Sequence, residues 1–408
     1  MSPALDVAAR AAGARIRAAL AARYRDLDLA EEAFAEACVR AAARWPIDGE
    51  PRDPAAWLYR ASERIALDSL RQRKVRREAP SDAPPAQQTA EDAMVSDERL
   101  IPDERLRLIF VCCHPAIAAE ARAALTLRLV CGLETGEIAR AFLVAETTLA
   151  QRLVRAKRKI ADAGVPFEIP GPDAWPDRLD AVLSTLEIAY AKAHEDAAGA
   201  GQHAGYAAEM LTLSATLSEL LPREPEALAF AALVRFAEAR RPARLAEDGA
   251  MVPLSDQDPA LWRRPLIDQG EGYLTRAIAA GGGGPRVLQA AIHGAWCARS
   301  SLNDPPPWPD VLHLYDALLT RRDDVVVRLN RAVALAEVAS PAAALAEVEA
   351  LPSEPLKSFA PYHAVRADLL RRTGQITAAA SALQEALALS PAPAERIWLE
   401  RRLFELKA

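Results

Sequence analysis

Side chains suited to holding or reading nucleic acid gather at two places in this chain. From Glu146 to Ile160, Arg152, Arg155, Lys157, Arg158 and Lys159 face the single acid Glu146. From Arg60 to Arg77, the cations Arg60, Arg64, Arg71, Arg73, Lys74, Arg76 and Arg77 face only Glu63 and Asp68. Arginine pairs bidentately with guanine, glutamine pairs with adenine, and either basic side chain neutralises phosphate. Thr147, Thr148, Gln151, Arg152 and Arg155 are therefore candidate readers of bases or phosphates, with Lys157, Arg158 and Lys159 as phosphate ligands. In the other stripe, Trp57 and Tyr59 precede the run Arg71, Arg73, Lys74, Arg76 and Arg77. Aromatic rings stack on unpaired bases while arginines track a backbone. The plainer alternative for each stripe is a solvated charged face, and for Trp57 a core ring.

Other groupings that could do chemistry reduce to structural roles. Cys112, Cys113 and His114 are consecutive, and consecutive helical residues point about 100° apart, so they do not converge on one ion. The Gly281 to Gly284 run lacks the strand and lysine of a phosphate loop and reads as a connection between helices. Asp256-Gln257-Asp258, with no histidine nearby, reads as a helix N-terminus, where acids face exposed N–H groups. The six histidines are scattered with no metal-binding pair. No metal, cofactor or catalytic group is expected, so the chain is not read as an enzyme.

The elements that must carry these side chains are helical. Hydrophobic residues make up 51% of the 408 but aromatics only 5%, and alanine and leucine dominate over β-branched residues, which selects helix over strand. The expected fold class is all-α: two small helical domains, the second with a helix-turn-helix, and a C-terminal helical repeat domain. Apolar spacing predicts two helices from Pro3 to Arg44, with Trp45-Pro46-Ile47-Asp48-Gly49 breaking the pattern. Asp53-Pro54 predicts the start of a helix running to about Arg77. Glu78 to Asp97 is rich in Pro, Ala, Ser, Gln and acids, the composition of a flexible linker. A second cluster spans Asp103 to Ala163. The expected domains are 1–77, a linker 78–102, 103–166, and an extension 167–408.

Within the second cluster, Thr135 to Phe142 predicts a short helix, Leu143-Val144-Ala145 a tight turn and Glu146 to Lys159 a second helix. Ile138, Ala139, Phe142, Val144, Leu149 and Leu153 would be shared between them, the pattern of a helix-turn-helix. In the extension, superposing Ala332 on Ala367 gives a 35-residue period. Leu370, Gly374, Ala379, Leu383, Ala386 and Pro391 fit the tetratricopeptide pattern, and Leu335, Ala344, Val348 and Leu351 fit it more loosely. Such helix pairs stack into a solenoid with a concave binding face.

The net charge of -6 is not that of a wholly basic binder, so the local stripes carry the argument. Five cysteines, two adjacent, fit no disulfide framework or zinc spacing. No apolar run approaches the ~20 residues that span a bilayer, and no secretory leader is visible. A cytoplasmic protein without membrane contact is expected.

The run Asp28 to Arg40, then Ala56-Trp57-Leu58 and Ala66 to Arg71, resembles the N-terminal domain of extracytoplasmic-function sigma factors. The helix-turn-helix resembles their C-terminal promoter-binding domain. Leu108 to Pro115, Glu137 to Val144, Gln151 to Ile160, Ala239 to Arg244 and Asp256-Gln257-Asp258 are similar to the subgroup with a long tetratricopeptide-like extension. The resemblance implies core RNA polymerase as partner through its β′ and β subunits, with Asp28, Glu32, Phe34 and Glu36 on the docking helix. It implies that the Trp57 to Arg77 helix melts and reads the −10 element and that the second domain contacts the −35 element. It further implies that the extension takes over regulation, and contact between extension and sigma domains is expected because tethering raises effective concentration. One departure stands out: Ser62-Glu63-Arg64-Ile65 replaces a frequent Ala-Arg-Asn-Arg and puts an acid in the DNA-facing helix. Two rivals remain: a helical-repeat scaffold for other proteins, and a one-component regulator that binds promoter DNA without polymerase.

Overall fold

The computed structural model describes residues 3–78, 107–130, 133–142, 144–165, 167, 175–196, 204–352 and 356–406. The expected linker, 78–102, lies outside them apart from its first residue. The fold is all-α, with an isolated bridge between Leu245 and Met251. Two compact units divide it, residues 1–192 and 193–408.

In the first unit, α1 (Pro3–Tyr24), α2 (Leu27–Asp48) and α3 (Pro54–Glu78) pack on one another. Arg25, at φ 54, turns the chain between α1 and α2, and the Asp26 side chain accepts from the Leu29 N–H at 2.9 Å to cap α2. Leu27, Ala30, Phe34, Ala37, Ala41 and Trp45 are buried along α2 at helical spacing. The interior is alanine-rich, so the helices approach closely. A Cβ on Gly13 of α1 would stand 2.8 Å from the Phe34 ring.

The expected break at Trp45-Pro46 does not occur: α2 runs through Pro46 to Asp48. A proline this near the end removes one hydrogen bond from a turn that is already closing. The stop falls at Gly49, whose φ of 87 suits glycine and whose N–H donates to the Trp45 carbonyl at 3.0 Å. The Asp53 side chain accepts from the Ala56 N–H at 2.9 Å and starts α3.

Residues 107–112 are helical, followed by α4 (Ala119–Leu129), α5 (Thr135–Ala141), α6 (Glu146–Asp162) and α7 (Trp175–Asp196). Their core includes Leu108, Phe110, Leu125, Ile138, Leu149 and Ile160. Arg178 of α7 donates to the Phe110 carbonyl at 2.8 Å. Cys112 and Cys113 are wholly buried, Cys113 beside the Thr126 hydroxyl at 3.8 Å, and burial pushes its thiol pKa up. Both cysteines are packing groups.

The second unit continues with α8 (Ala204–Leu220), α9 (Pro225–Arg240), α10 (Arg264–Ala279), α11 (Pro285–Cys297) and α12 (Trp308–Leu319). Around Phe236 lies a core with Leu228, Trp262, Ile267 and Val287. Gly270 of α10 lies against that ring, where a Cβ would be 2.8 Å away. Asp258 caps the short turn Pro259–Leu261, accepting from the Ala260 N–H at 2.9 Å. Then come α13 (Val325–Val338), α14 (Pro341–Glu349), α15 (Ala360–Arg372), α16 (Ile376–Ala388) and α17 (Pro393–Glu405), each packed chiefly on its neighbours in sequence. Asp324 caps α13 and Ser340 caps α14. Ala332, Ala344, Ala367, Ala379 and Leu383 share one core cluster. Arg372 of α15 reaches Glu337 of α13 at 2.5 Å.

Candidate nucleic-acid interface

The turn between α5 and α6 is closed by the Phe142 N–H donating to the Ile138 carbonyl and the Val144 N–H to the Ala139 carbonyl, both 3.0 Å. Ile138 and Ala139 on α5 and Leu149, Leu153, Ala156 and Ile160 on α6 are buried. Gly136 lets α5 come close, because a Cβ there would stand 3.3 Å from the Glu146 carboxylate. Glu146 itself sits in the first turn of α6, where an acid complements the exposed N–H groups.

At 100° per residue, the buried stripe of α6 leaves Thr147, Thr148, Gln151, Arg155 and Arg158 on the opposite face, and all five are exposed. Arg158 lies 3.7 Å from Asp162, a solvent-exposed pair that constrains it little. Arg152 and Lys157 fall on the two flanks and are half-buried. Lys157 does not join the outward face. Its ammonium donates to Asp28 at 2.5 Å and to Glu31 at 2.8 Å on α2. Burial works to lower its pKa, but these two hydrogen bonds carry it above the usual lysine value.

On the N-terminal three helices the cations divide differently from the expectation. Arg73 pairs with Asp26 at 2.9 Å and lies 3.6 Å from Glu32, tying α3 to the start of α2. Arg71 is exposed beside Asp68 at 3.7 Å. Lys74, Arg76 and Arg77 are on α3, but their side chains lie outside the described residues. The sequence reading missed a groove of about 710 Å³, lined by Arg40 and Arg44 of α2, Arg52 of the connecting loop, and Trp57, Arg60 and Arg64 of α3. All five arginines are exposed. Trp57 is half-buried, its ring edge-to-face on the buried Trp45 with centroids 5.5 Å apart, so it belongs partly to the core and partly to the groove wall. Glu63 is drawn to α1 by an ion pair with Arg23 and is absent from the groove lining, whose acids are Asp53 and Asp68 against the five arginines.

Of the expected docking residues, Asp28, Glu32 and Glu36 are exposed on α2. Phe34 is only 7% exposed, packed on Gly13 with the Arg17 guanidinium 5.3 Å from its ring centre. It is a core residue, so the acids present themselves and Phe34 holds the helix that carries them.

A short helix, a tight turn and a second helix with a polar, cationic outward face define a helix-turn-helix DNA-binding domain. In keeping with that class, residues 107–160 match the family model Sigma-70, region 4. Residues 178–278 match a family of unknown function, DUF6596. The chain is 38% identical to the uncharacterized protein R00370 of Rhizobium meliloti (strain 1021), over 99% of this chain and 96% of that protein. No solved structure matches. The chain therefore belongs to the family of this rhizobial protein, a sigma-factor family by its region 4.

Proposed function

We propose that this protein is a sigma factor of the extracytoplasmic-function type, which binds core RNA polymerase and directs initiation at chosen promoters. The outward face of α6, with Thr147, Thr148, Gln151, Arg155 and Arg158 all exposed, carries the proposal. That face supplies the bidentate donors and acceptors that read a major groove. Five exposed arginines around Trp57 favour a sigma factor over a one-component regulator, since a cationic groove with an aromatic wall suits an unpaired strand. A repeat scaffold would need neither. The acids Asp28, Glu32 and Glu36 form the polymerase-facing side of α2 in this reading. The extension acts as a regulatory domain, and the shared core of α13 to α16 supports tetratricopeptide-like stacking within it.

The test is co-purification with bacterial core polymerase. Wild-type chain should bind, and Glu32→Lys with Glu36→Lys should bind at least tenfold more weakly while melting normally, because both sites are exposed. Binding of promoter DNA with no requirement for polymerase would instead select the one-component regulator, and binding to neither would select the scaffold.

A further inference from the structure

The segment 107–113, which opens the region 4 match, is buried on every side. Leu108, Ile109, Phe110, Val111, Cys112 and Cys113 are each at most 2% exposed. At 100° per residue a run of this length passes all round the helix axis, so a single neighbour does not cover it. On one side α4 covers it, where Cys113 meets Thr126 at 3.8 Å. Helix α7 reaches the segment at two further points. Arg178 donates to the Phe110 carbonyl at 2.8 Å, and Thr185 is in hydrogen-bond contact with the Cys113 thiol. Along the same helix Leu179, Val182, Leu183 and Leu186 are buried at i, i+3, i+4 and i+7, the stripe by which one helix docks on another.

Family matches and packing divide the chain at different places. The match to the family of unknown function covers 178–278, yet the first compact unit runs to Lys192. The opening helix of that family therefore lies with region 4, and the remainder of the match lies in the second unit. We propose that α7 is an integral helix of the helix-turn-helix domain, its apolar face taking the 107–113 segment as partner and holding, through α4, the reading helix α6. The line of contact runs through buried groups: Arg178 and Thr185 to Phe110 and Cys113, Cys113 to Thr126 of α4, and α4 to α6. Without α7 the side of this segment that it covers would face water, and α6 would lose the support behind its buried stripe. The DNA-reading domain then ends near Lys192 rather than at the expected boundary of 166. Arg178 and Thr185 are positioning residues for α6, a role that neither family model carries. The consequence for promoter reading rests on the sigma-factor reading; the place of α7 does not.

Hydrogen exchange of the full chain tests the assignment. Arg178→Gln removes the bond to Phe110, and Leu183→Ala removes buried volume from α7. Each should speed exchange across 107–130 and 144–162 about tenfold or more, while 225–279 keeps the wild-type rate. The converse variant, Leu149→Ala on the buried face of α6, should speed exchange across 178–190 by a comparable factor, because elements of one cooperative unit open together. Faster exchange across 225–279 with 107–130 unchanged would make α7 the leading helix of the extension's own domain and overturn the assignment. Faster exchange in both units alike would overturn it too, since α7 would then belong to one cooperative body. The functional arm uses holoenzyme assembled with Arg178→Gln. Core polymerase should still bind through Glu32 and Glu36, and initiation from a pool of genomic fragments should fall several-fold. Unchanged initiation despite lost protection would overturn the positioning role. Lost protection with no polymerase binding even by the wild-type chain would overturn the sigma-factor reading and leave α7 in its place.

Discussion

Gln151 and Arg155 stand one helical turn apart on the outward face of α6. Each should therefore govern its own step of the recognised site. Gln151→Ala should relax preference at one base pair by about 1–3 kcal/mol, read by binding to a set of single-substitution promoters; an equal loss on every sequence would mark it as a phosphate contact. Phe34→Ala should cost about 3–5 kcal/mol in urea unfolding, whereas exposed Glu36→Ala should stay within ~0.5 kcal/mol. The reason Phe34 looked like a docking residue is its place in the acidic motif. Its helical period, shared with Ala30, Ala37 and Ala41, points inward. The acids at 28, 32 and 36 follow the opposite face, so counting by fours along α2 separates the two roles without coordinates.

At the scale of elements, the helix-turn-helix was legible because its whole signal is local. The buried positions, the turn and the basic face fall within some thirty consecutive residues, and α6 has a clean apolar stripe. The arginine groove was not legible, since Arg40 and Arg44, Arg52, and Arg60 and Arg64 come from two helices and a loop. The i, i+4 arginine pairs on either side of Gly49 were the available signal. Close helix contacts make their own demands. Gly270→Ala would press a methyl group into the Phe236 ring and should destabilise the second unit by about 1–3 kcal/mol, measured by thermal unfolding.

The loop before α12 adds a pH dependence. Asp304 accepts from the Ser300 N–H at 2.7 Å and its hydroxyl at 2.8 Å, and from Ser301, which holds its pKa at about 2. A carboxyl depressed by folding stabilises above its unfolded pKa of ~3.9, and that contribution disappears as pH falls through the folded value. Asp304→Asn should thus melt lower than wild type at pH 6, and the two curves should converge near pH 2.

For the whole molecule, what the sequence could not disclose is which of its charges meet. Lys157 and Asp28 are 129 residues apart, and nothing in either helix's periodicity pairs them. Local spacing predicts elements, whereas this pairing depends on how two sets of helices dock. Under the proposed function, binding to DNA should weaken steeply with salt, and replacing the exposed Arg158 should reduce the slope of log affinity against log salt by about 0.9 where its partner is a phosphate.

The run from α13 to α17 has a further property. Every helix there leans chiefly on the next in line, and the last one presents Phe404 at 74% exposure. The last helix is also pinned far upstream, the Met251 N–H donating to the Ala394 carbonyl at 3.0 Å and Arg401 pairing with Asp248, so the stack closes back on the 245–252 segment and hydrogen exchange should show α17 no less protected than α16. A helix pair added to or removed from this stack would displace that closing contact, so the length of the chain beyond Val325 is matched to a fixed point upstream rather than freely adjustable.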